Sequence, residues 1–98
     1  MRRFRFGPRA LEELEEAVDY YLERSSDAAA GFVDAFEAAV HFVRESPQAA
    51  ACVTGDVRRW NLRRFPYALI YRMVDDVIVI IAVMHGRREP DYWKDRLQ

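Results

Sequence analysis

Apolar side chains recur every three to four residues in two stretches of the first half of the chain, and each stretch predicts an amphipathic helix. The first helix starts with a proline, carries Glu12 and Glu13 in its first turn, and spans residues 8–24. The second spans residues 27–45 and is stopped by a proline, and Ser25 can cap its start. Because so few residues join the two helices, we expect an antiparallel hairpin that packs on another layer.

That second layer is predicted by four segments rich in β-forming residues. The first alternates arginine and phenylalanine, the second alternates apolar and basic residues, and the last is apolar on both faces, so it should be central in a sheet. Asp75 and Asp76 suit a tight hairpin between the last two segments. Residues 49–55 show no periodicity and are predicted to be a connector. The four predicted strands cover residues 2–6, 57–63, 67–74 and 77–84.

The order β-α-α-β-β-β predicts an α+β fold with the helical hairpin on one face of a mostly antiparallel four-stranded sheet. The other face of the apolar last strand also needs cover. We expect the tail to supply it, with Tyr92 and Trp93 packed on that face and Lys94 and Arg96 left in solvent.

Length and composition fit one small globular domain over residues 1–98, since 51% of the residues are apolar and 32% are charged. No apolar run approaches the roughly 20 residues that a membrane-spanning helix needs. The basic start lacks the apolar region of a secretory signal. The lone Cys52 has no partner for an internal disulfide, which is typical of a reducing compartment. We therefore expect a cytoplasmic protein without a membrane partner.

Charge is distributed unevenly along the chain, although the net charge is only −1. Residues 8–50 carry ten acidic side chains against three basic ones, whereas residues 51–98 carry nine basic side chains against six acidic ones. Fourteen of the fifteen basic residues are arginine, which binds phosphate and carboxylate groups with a fork of N–H donors. The sheet half could therefore face either nucleic acid or an acidic protein segment.

Glycine-rich phosphate loops, zinc-ligand spacings and the common nucleophile motifs are absent from the sequence, so we expect no cofactor and no metal. What remains is a group of polar and aromatic residues near the strand ends. His85 and the arginines include the base, acid and cations that RNA cleavage by a 2′-hydroxyl requires. Structural roles compete with this one: His85 could bond locally, and Arg72 could pair with a turn aspartate. The group contains Arg59, Asn61, Arg63, Arg64, Arg72, His85, Arg87, Arg88, Tyr92 and Trp93.

The last third of the chain also carries a recognisable order of short motifs. Tyr67 is followed by an aliphatic-Tyr-Arg pattern at residues 69–72, a two-residue turn, and an aliphatic strand that runs into His85, Arg87 and Arg88. With the preceding strand and two helices, this order resembles the RelE/ParE superfamily, the toxin halves of bacterial type II toxin–antitoxin pairs, which includes plasmid stabilisation proteins. The resemblance covers nearly the whole chain and implies a cognate antitoxin that forms a hetero-oligomer with the toxin.

The superfamily contains two activities. RelE-like members cleave mRNA on the ribosome with a set of basic residues and a C-terminal tyrosine, and Arg59 and Arg88 stand at two of the basic positions. Asn61 occupies a second basic position of the family pattern, Ala68 follows the strand-opening tyrosine where that pattern has arginine, and Tyr92 lies closer to Arg88 than the family tyrosine does. ParE-like members generally lack the set and poison DNA gyrase through protein contacts. These departures favour the ParE-like branch.

Three hypotheses therefore stand. The favoured one is a ParE-like toxin that binds a macromolecular target such as DNA gyrase. The second is a ribosome-dependent RNase with His85 and Arg88 as catalytic residues, and the third is an inactive member retained as a binding module. We expect the acidic C-terminal segment of the antitoxin to lie against Arg59, Arg63 and Arg88. The residues expected to contact the target or the antitoxin are Arg59, Asn61, Arg63, Arg72, Arg87, Tyr92 and Trp93.

Overall fold

The two predicted helices are present in the computed structural model, which describes residues 2–97. Helix α1 spans Pro8–Leu22 and helix α2 spans Ser26–Glu45. The Ser25 hydroxyl caps α2 by accepting a hydrogen bond of 3.0 Å from the Ala28 N–H. The prediction that acids occupy the first turn of α1 was wrong, because a helix that starts at Pro8 reaches Glu12 only in its second turn.

Five strands form one sheet against these helices. They are β1 (Phe4–Phe6), β2 (Ala51–Thr54), β3 (Val57–Asn61), β4 (Tyr67–Val74) and β5 (Val77–His85), in the spatial order β1-β5-β4-β3-β2. Strand β1 pairs parallel with β5, and the other neighbours pair antiparallel. The α+β fold with a mostly antiparallel sheet is therefore confirmed, but the predicted count of four strands missed β2. All but one of the β2 residues are exposed, so no alternation with a core marked them as a strand.

Strand β5 lies between β1 and β4, as its apolar sequence predicted. Asp75 and Asp76 form the hairpin turn before it with φ values of 52° and 64°, which short polar side chains tolerate. A bulge interrupts the β4–β5 register, because Ile70 pairs with Ala82 and the next residue pairs with Ile80. Ile81 is the extra residue, and it therefore lies on the same face as Ala82.

The two faces of the sheet are covered by different parts of the chain. The helices cover one face, where Phe32, Val43 and Tyr71 are fully buried. On the opposite face, Trp93 is 1% exposed and packs with Ile70. The predicted cover of that face by the tail is confirmed for this tryptophan. A short 3₁₀ helix, Lys94–Leu97, follows it.

The tail differs from the prediction at Arg96, which was expected to stay in solvent. Its side chain is only 11% exposed, and its guanidinium donates to both carboxylate oxygens of Glu13 at 2.8 and 3.0 Å. Arg96 also donates a hydrogen bond of 3.0 Å to the Ile81 carbonyl of β5, the strand that lies beside α1. None of the helices within residues 2–97 is both long and apolar enough to cross a bilayer.

Candidate functional site

A groove with polar and aromatic walls lies between the end of β5, helix α1 and the tail. We call it the strand-end groove. It encloses about 380 Å³. Helix α1 lies beside β5, so the groove combines carboxylates of the helix with basic residues that follow the strand. It is lined by Glu13, Glu16, Ala17, Tyr20, Tyr67, Val83, His85, Arg87, Arg88 and Tyr92.

His85 is held at this strand end by two contacts. Its ring meets the edge of the Tyr67 ring with 4.9 Å between centroids. Its Nδ1 accepts a hydrogen bond of 3.0 Å from the Arg87 N–H, so a neutral ring carries its proton on Nε2. The alternative local role for His85, a hydrogen bond at the strand end, is therefore present in the structure.

Arg88 and Tyr92 form a stacked pair in the same groove. The guanidinium carbon of Arg88 lies 3.8 Å from the centre of the Tyr92 ring. The Tyr92 hydroxyl donates a hydrogen bond of 2.6 Å to Glu13. Burial raises the pKa of Tyr92, and the hydrogen bond and charge of Glu13 raise it further, so the phenol stays neutral. Tyr92 therefore serves as a donor and as a platform for Arg88.

Glu13 connects the groove to the tail. It accepts hydrogen bonds from Tyr92, from Arg96 and from the Val83 N–H. Burial by itself raises the pKa of Glu13, but these three donors and the charge of Arg96 outweigh it, so the pKa lies below its ordinary value. Sequence reasoning missed this network, since 83 residues separate Glu13 from Arg96 and no local pattern relates them.

The remaining candidate residues do not converge on the strand-end groove. Arg59 and Asn61 lie on β3 and are bonded to each other, with 3.0 Å between the Arg59 Nε and the Asn61 Oδ1. Arg59 pairs with Ile70, so it lies on the face opposite the helices. Arg72 lies on that face too, on β4, where it pairs with Val79 of β5.

Arg63 lies elsewhere, at a groove between α2 and β3. The floor of this groove is a stack of Phe42 on Trp60, with 4.0 Å between ring centroids. The candidates thus occupy three separate surfaces, and Trp93 is a core residue on the face opposite the helices.

The strand-end groove carries charges of both signs and lacks the cluster of unopposed cations that a polyanion favours. Glu13 and Glu16 share the groove with His85, and a neighbouring hollow brings Arg88 together with Glu12, Glu15, Glu16 and Asp19. A phosphate backbone placed here would meet these carboxylates at short range. Among residues 2–97, no cluster of three or more His, Cys, Asp or Glu residues is arranged to hold a metal.

A family model and the sequence relatives agree in matching this chain to ParE toxins. Residues 4–90 match a family model described as the ParE toxin of the type II toxin–antitoxin system parDE. Toxin ParE2 of two Mycobacterium tuberculosis strains is 32% identical over 91 residues, which cover 92% of this chain and 87% of the relative.

Two solved structures share the fold. A chain of the chromosomal ParDE toxin–antitoxin system of P. aeruginosa superposes with a TM-score of 0.73 at 20% identity. The superposition covers 87% of this chain and 96% of the P. aeruginosa chain. The isolated E. coli RelE toxin superposes with a TM-score of 0.61 at 23% identity over the whole of both chains. At these identities the likeness concerns the fold alone.

Proposed function

Because the chain belongs to the ParE toxin family of type II toxin–antitoxin systems, we propose that it arrests growth by binding a protein target, with DNA gyrase as the candidate. On this proposal, the protein acts in the cytoplasm and is neutralised there by a cognate antitoxin with which it forms a hetero-oligomer. His85 and Arg88 then contribute to a protein-binding surface and not to cleavage of RNA.

The mixed charge around His85 and Arg88 carries this proposal. Cleavage of mRNA needs several cations around the phosphate that reacts, together with a free acid and base. In the strand-end groove, Arg88 is stacked on Tyr92 and His85 is bonded to the neighbouring backbone. Two carboxylates of α1, those of Glu13 and Glu16, face the same space. Such a mixture of both charges with aromatic rings suits contacts with a protein surface.

The test is to induce the protein alone in bacteria and to measure growth, DNA supercoiling and mRNA integrity together. We expect growth arrest, inhibition of supercoiling by purified gyrase, and intact mRNA. His85→Ala should weaken growth arrest only modestly, because one contact of a protein interface is lost, whereas loss of a catalytic acid or base would reduce a nuclease about 10² to 10⁴-fold. Arg64→Ala is the matched control, because Arg64 is exposed and lies outside the groove.

Two other outcomes would overturn the proposal. Ribosome-dependent mRNA cleavage that disappears in His85→Ala and Arg88→Ala would identify a RelE-like RNase. Normal growth with a folded and abundant protein would identify an inactive binding module.

A further inference from the structure

A second groove, on the face of the sheet opposite the helices, is lined by arginines over an apolar floor. We call it the arginine groove. It encloses about 440 Å³ between β1, β4, β5 and the end of the tail. Among the described residues 2–97, four basic side chains and no acidic one line it. Those that matter here are Arg5, Arg9, Arg72, Arg96, Val79 and Ile81.

The strand register places two of these arginines on either side of one valine. Val79 pairs with Arg5 on one neighbouring strand and with Arg72 on the other. Since adjacent strands are about 4.8 Å apart, the two arginine backbones are roughly 10 Å apart across the apolar floor. Trp93 covers the part of this face around Ile70 and Met84. The groove lies over the part around Val79, which is 8% exposed at the groove's floor.

The arginines of the groove differ in how they are neutralised. Arg96 is paired with Glu13, and Arg9 lies 3.7 Å from Glu12. None of the ion pairs and side-chain hydrogen bonds within residues 2–97 involves Arg5 or Arg72. Two guanidinium groups are therefore available to an anionic ligand at the edge of an apolar surface.

We propose that the arginine groove binds an extended acidic peptide segment of a partner protein. Its carboxylates pair with Arg5 and Arg72, and an apolar side chain between them packs on Val79. In an extended peptide, alternate side chains point to one face about 6.8 Å apart, so a Glu-x-Leu-x-Glu pattern presents both chemistries together. Charge complementarity and the apolar floor identify this occupant.

Nucleic acid fits the groove less well. Single strands bind by stacking bases on aromatic side chains, and no aromatic residue is among the described lining residues. The apolar floor formed by Val79 and Ile81 can pack against an aliphatic side chain, but it has no donor or positive charge for a phosphate backbone. This proposal does not depend on gyrase as the target, because peptide binding is measured on the purified protein itself.

The experiment titrates the full-length protein into a fluorescent capped peptide, Ser-Glu-Thr-Leu-Thr-Glu-Ser, at low ionic strength and follows anisotropy. The matched probes are the same peptide with glutamine for glutamate and a single-stranded oligothymidylate. We expect the double variant Arg5→Gln with Arg72→Gln to bind the acidic peptide at least about tenfold more weakly, a loss of about 1.4 kcal/mol in binding free energy. The control is Arg24→Gln with Arg64→Gln, two exposed arginines outside the groove, and it should bind like the original protein.

If the double variant does not fold, a measurement on the original protein still tests the proposal. Amide NMR shifts during the peptide titration should cluster at Arg72 and Val79. Equal affinity of the groove variant and the control, equal affinity for the glutamine peptide, or shifts confined to the helices would overturn the proposal. So would tighter binding of the oligothymidylate that depends on Arg5 and Arg72.

Discussion

At the scale of single residues, Glu13 joins three parts of the molecule that are distant in sequence. It lies on α1 and accepts hydrogen bonds from the Val83 backbone on β5 and from Tyr92 and Arg96 in the tail. Its side chain is 12% exposed, and that of Arg96 is 11% exposed. Because both charges are largely shielded from water, removal of one leaves the other unpaired in a poorly solvated position.

We expect Glu13→Gln to lower the free energy of unfolding by about 1–3 kcal/mol at neutral pH, since a charged acceptor of several hydrogen bonds is lost. The pKa of Glu13 is depressed in the folded protein, so its contribution is complete above the unfolded pKa. It is lost as the pH falls through the folded pKa. The difference in stability between the original protein and Glu13→Gln should therefore shrink in acid.

Urea unfolding at several pH values measures this difference. Glu12→Gln is the matched control, because Glu12 is one position earlier on the same helix and is 67% exposed. Its stability should follow that of the original protein at each pH. An equal loss in both variants, or a Glu13→Gln deficit that persists unchanged in acid, would contradict the role of the network.

At the scale of elements, the sequence predicted what local patterns encode. The helices, β1 and the three longer strands showed periodicity or β-rich composition, and Asp75 and Asp76 marked a turn. Strand β2 was missed because its exposed residues pack on no core. The Glu13–Arg96 contact was missed because it exists only once the tail has folded back. The candidate residues were predicted as one group, but sequence gives their types and not which face of a strand each occupies.

Trp93 is the part of the tail that contributes most apolar burial. It is 1% exposed and closes the cluster on the face opposite the helices. We expect Trp93→Ala to cost about 3–5 kcal/mol of stability. Trp93→Phe should cost much less, because the indole N–H has no hydrogen-bond partner among the described residues and little polar interaction is lost. Thermal melting followed by circular dichroism measures both, with Tyr20→Ala, 47% exposed, as the control. Equal losses in Trp93→Ala and Tyr20→Ala would contradict this account.

Removal of the whole tail after Glu89 should have a larger effect than either substitution. The truncation exposes Ile70 and Ile81 and also leaves Glu13 without Arg96. We expect a lower melting temperature, binding of a hydrophobic dye and loss of solubility. A truncated protein that stays soluble and melts like the full-length chain would show that the tail is not a structural cover.

At the scale of the whole molecule, the arginines expected to meet the antitoxin are spread around the fold. Arg59 lies on the face opposite the helices, Arg63 at the groove beside α2, and Arg88 at the strand-end groove. One compact contact cannot reach all three. A partner that engages them must wrap around the edge of the sheet, as an extended segment does.

For that partner we expect affinity to fall as ionic strength rises, because the contacts are between exposed charges. Replacement of Arg59, Arg63 and Arg88 by glutamine should weaken the complex, and the Arg88 step should add to the other two because Arg88 lies at a different groove. Surface plasmon resonance on the co-purified antitoxin, across a salt series, measures both effects, with Arg64→Gln as the control. Salt-independent binding that the triple variant leaves unchanged would place the antitoxin elsewhere.

The pairing of β1 with β5 also determines when the sheet can be completed. Residues 4–6 pair with residues 78–80, so β1 leaves the ribosome well before its partner β5 has been synthesised. Closing so long a loop is slow compared with forming the α1–α2 hairpin, whose contacts are local. Strand β1, with Arg5, therefore stays unpaired until β5 has been synthesised. Until β5 arrives, the arginine groove does not exist, and an acidic segment cannot bind there.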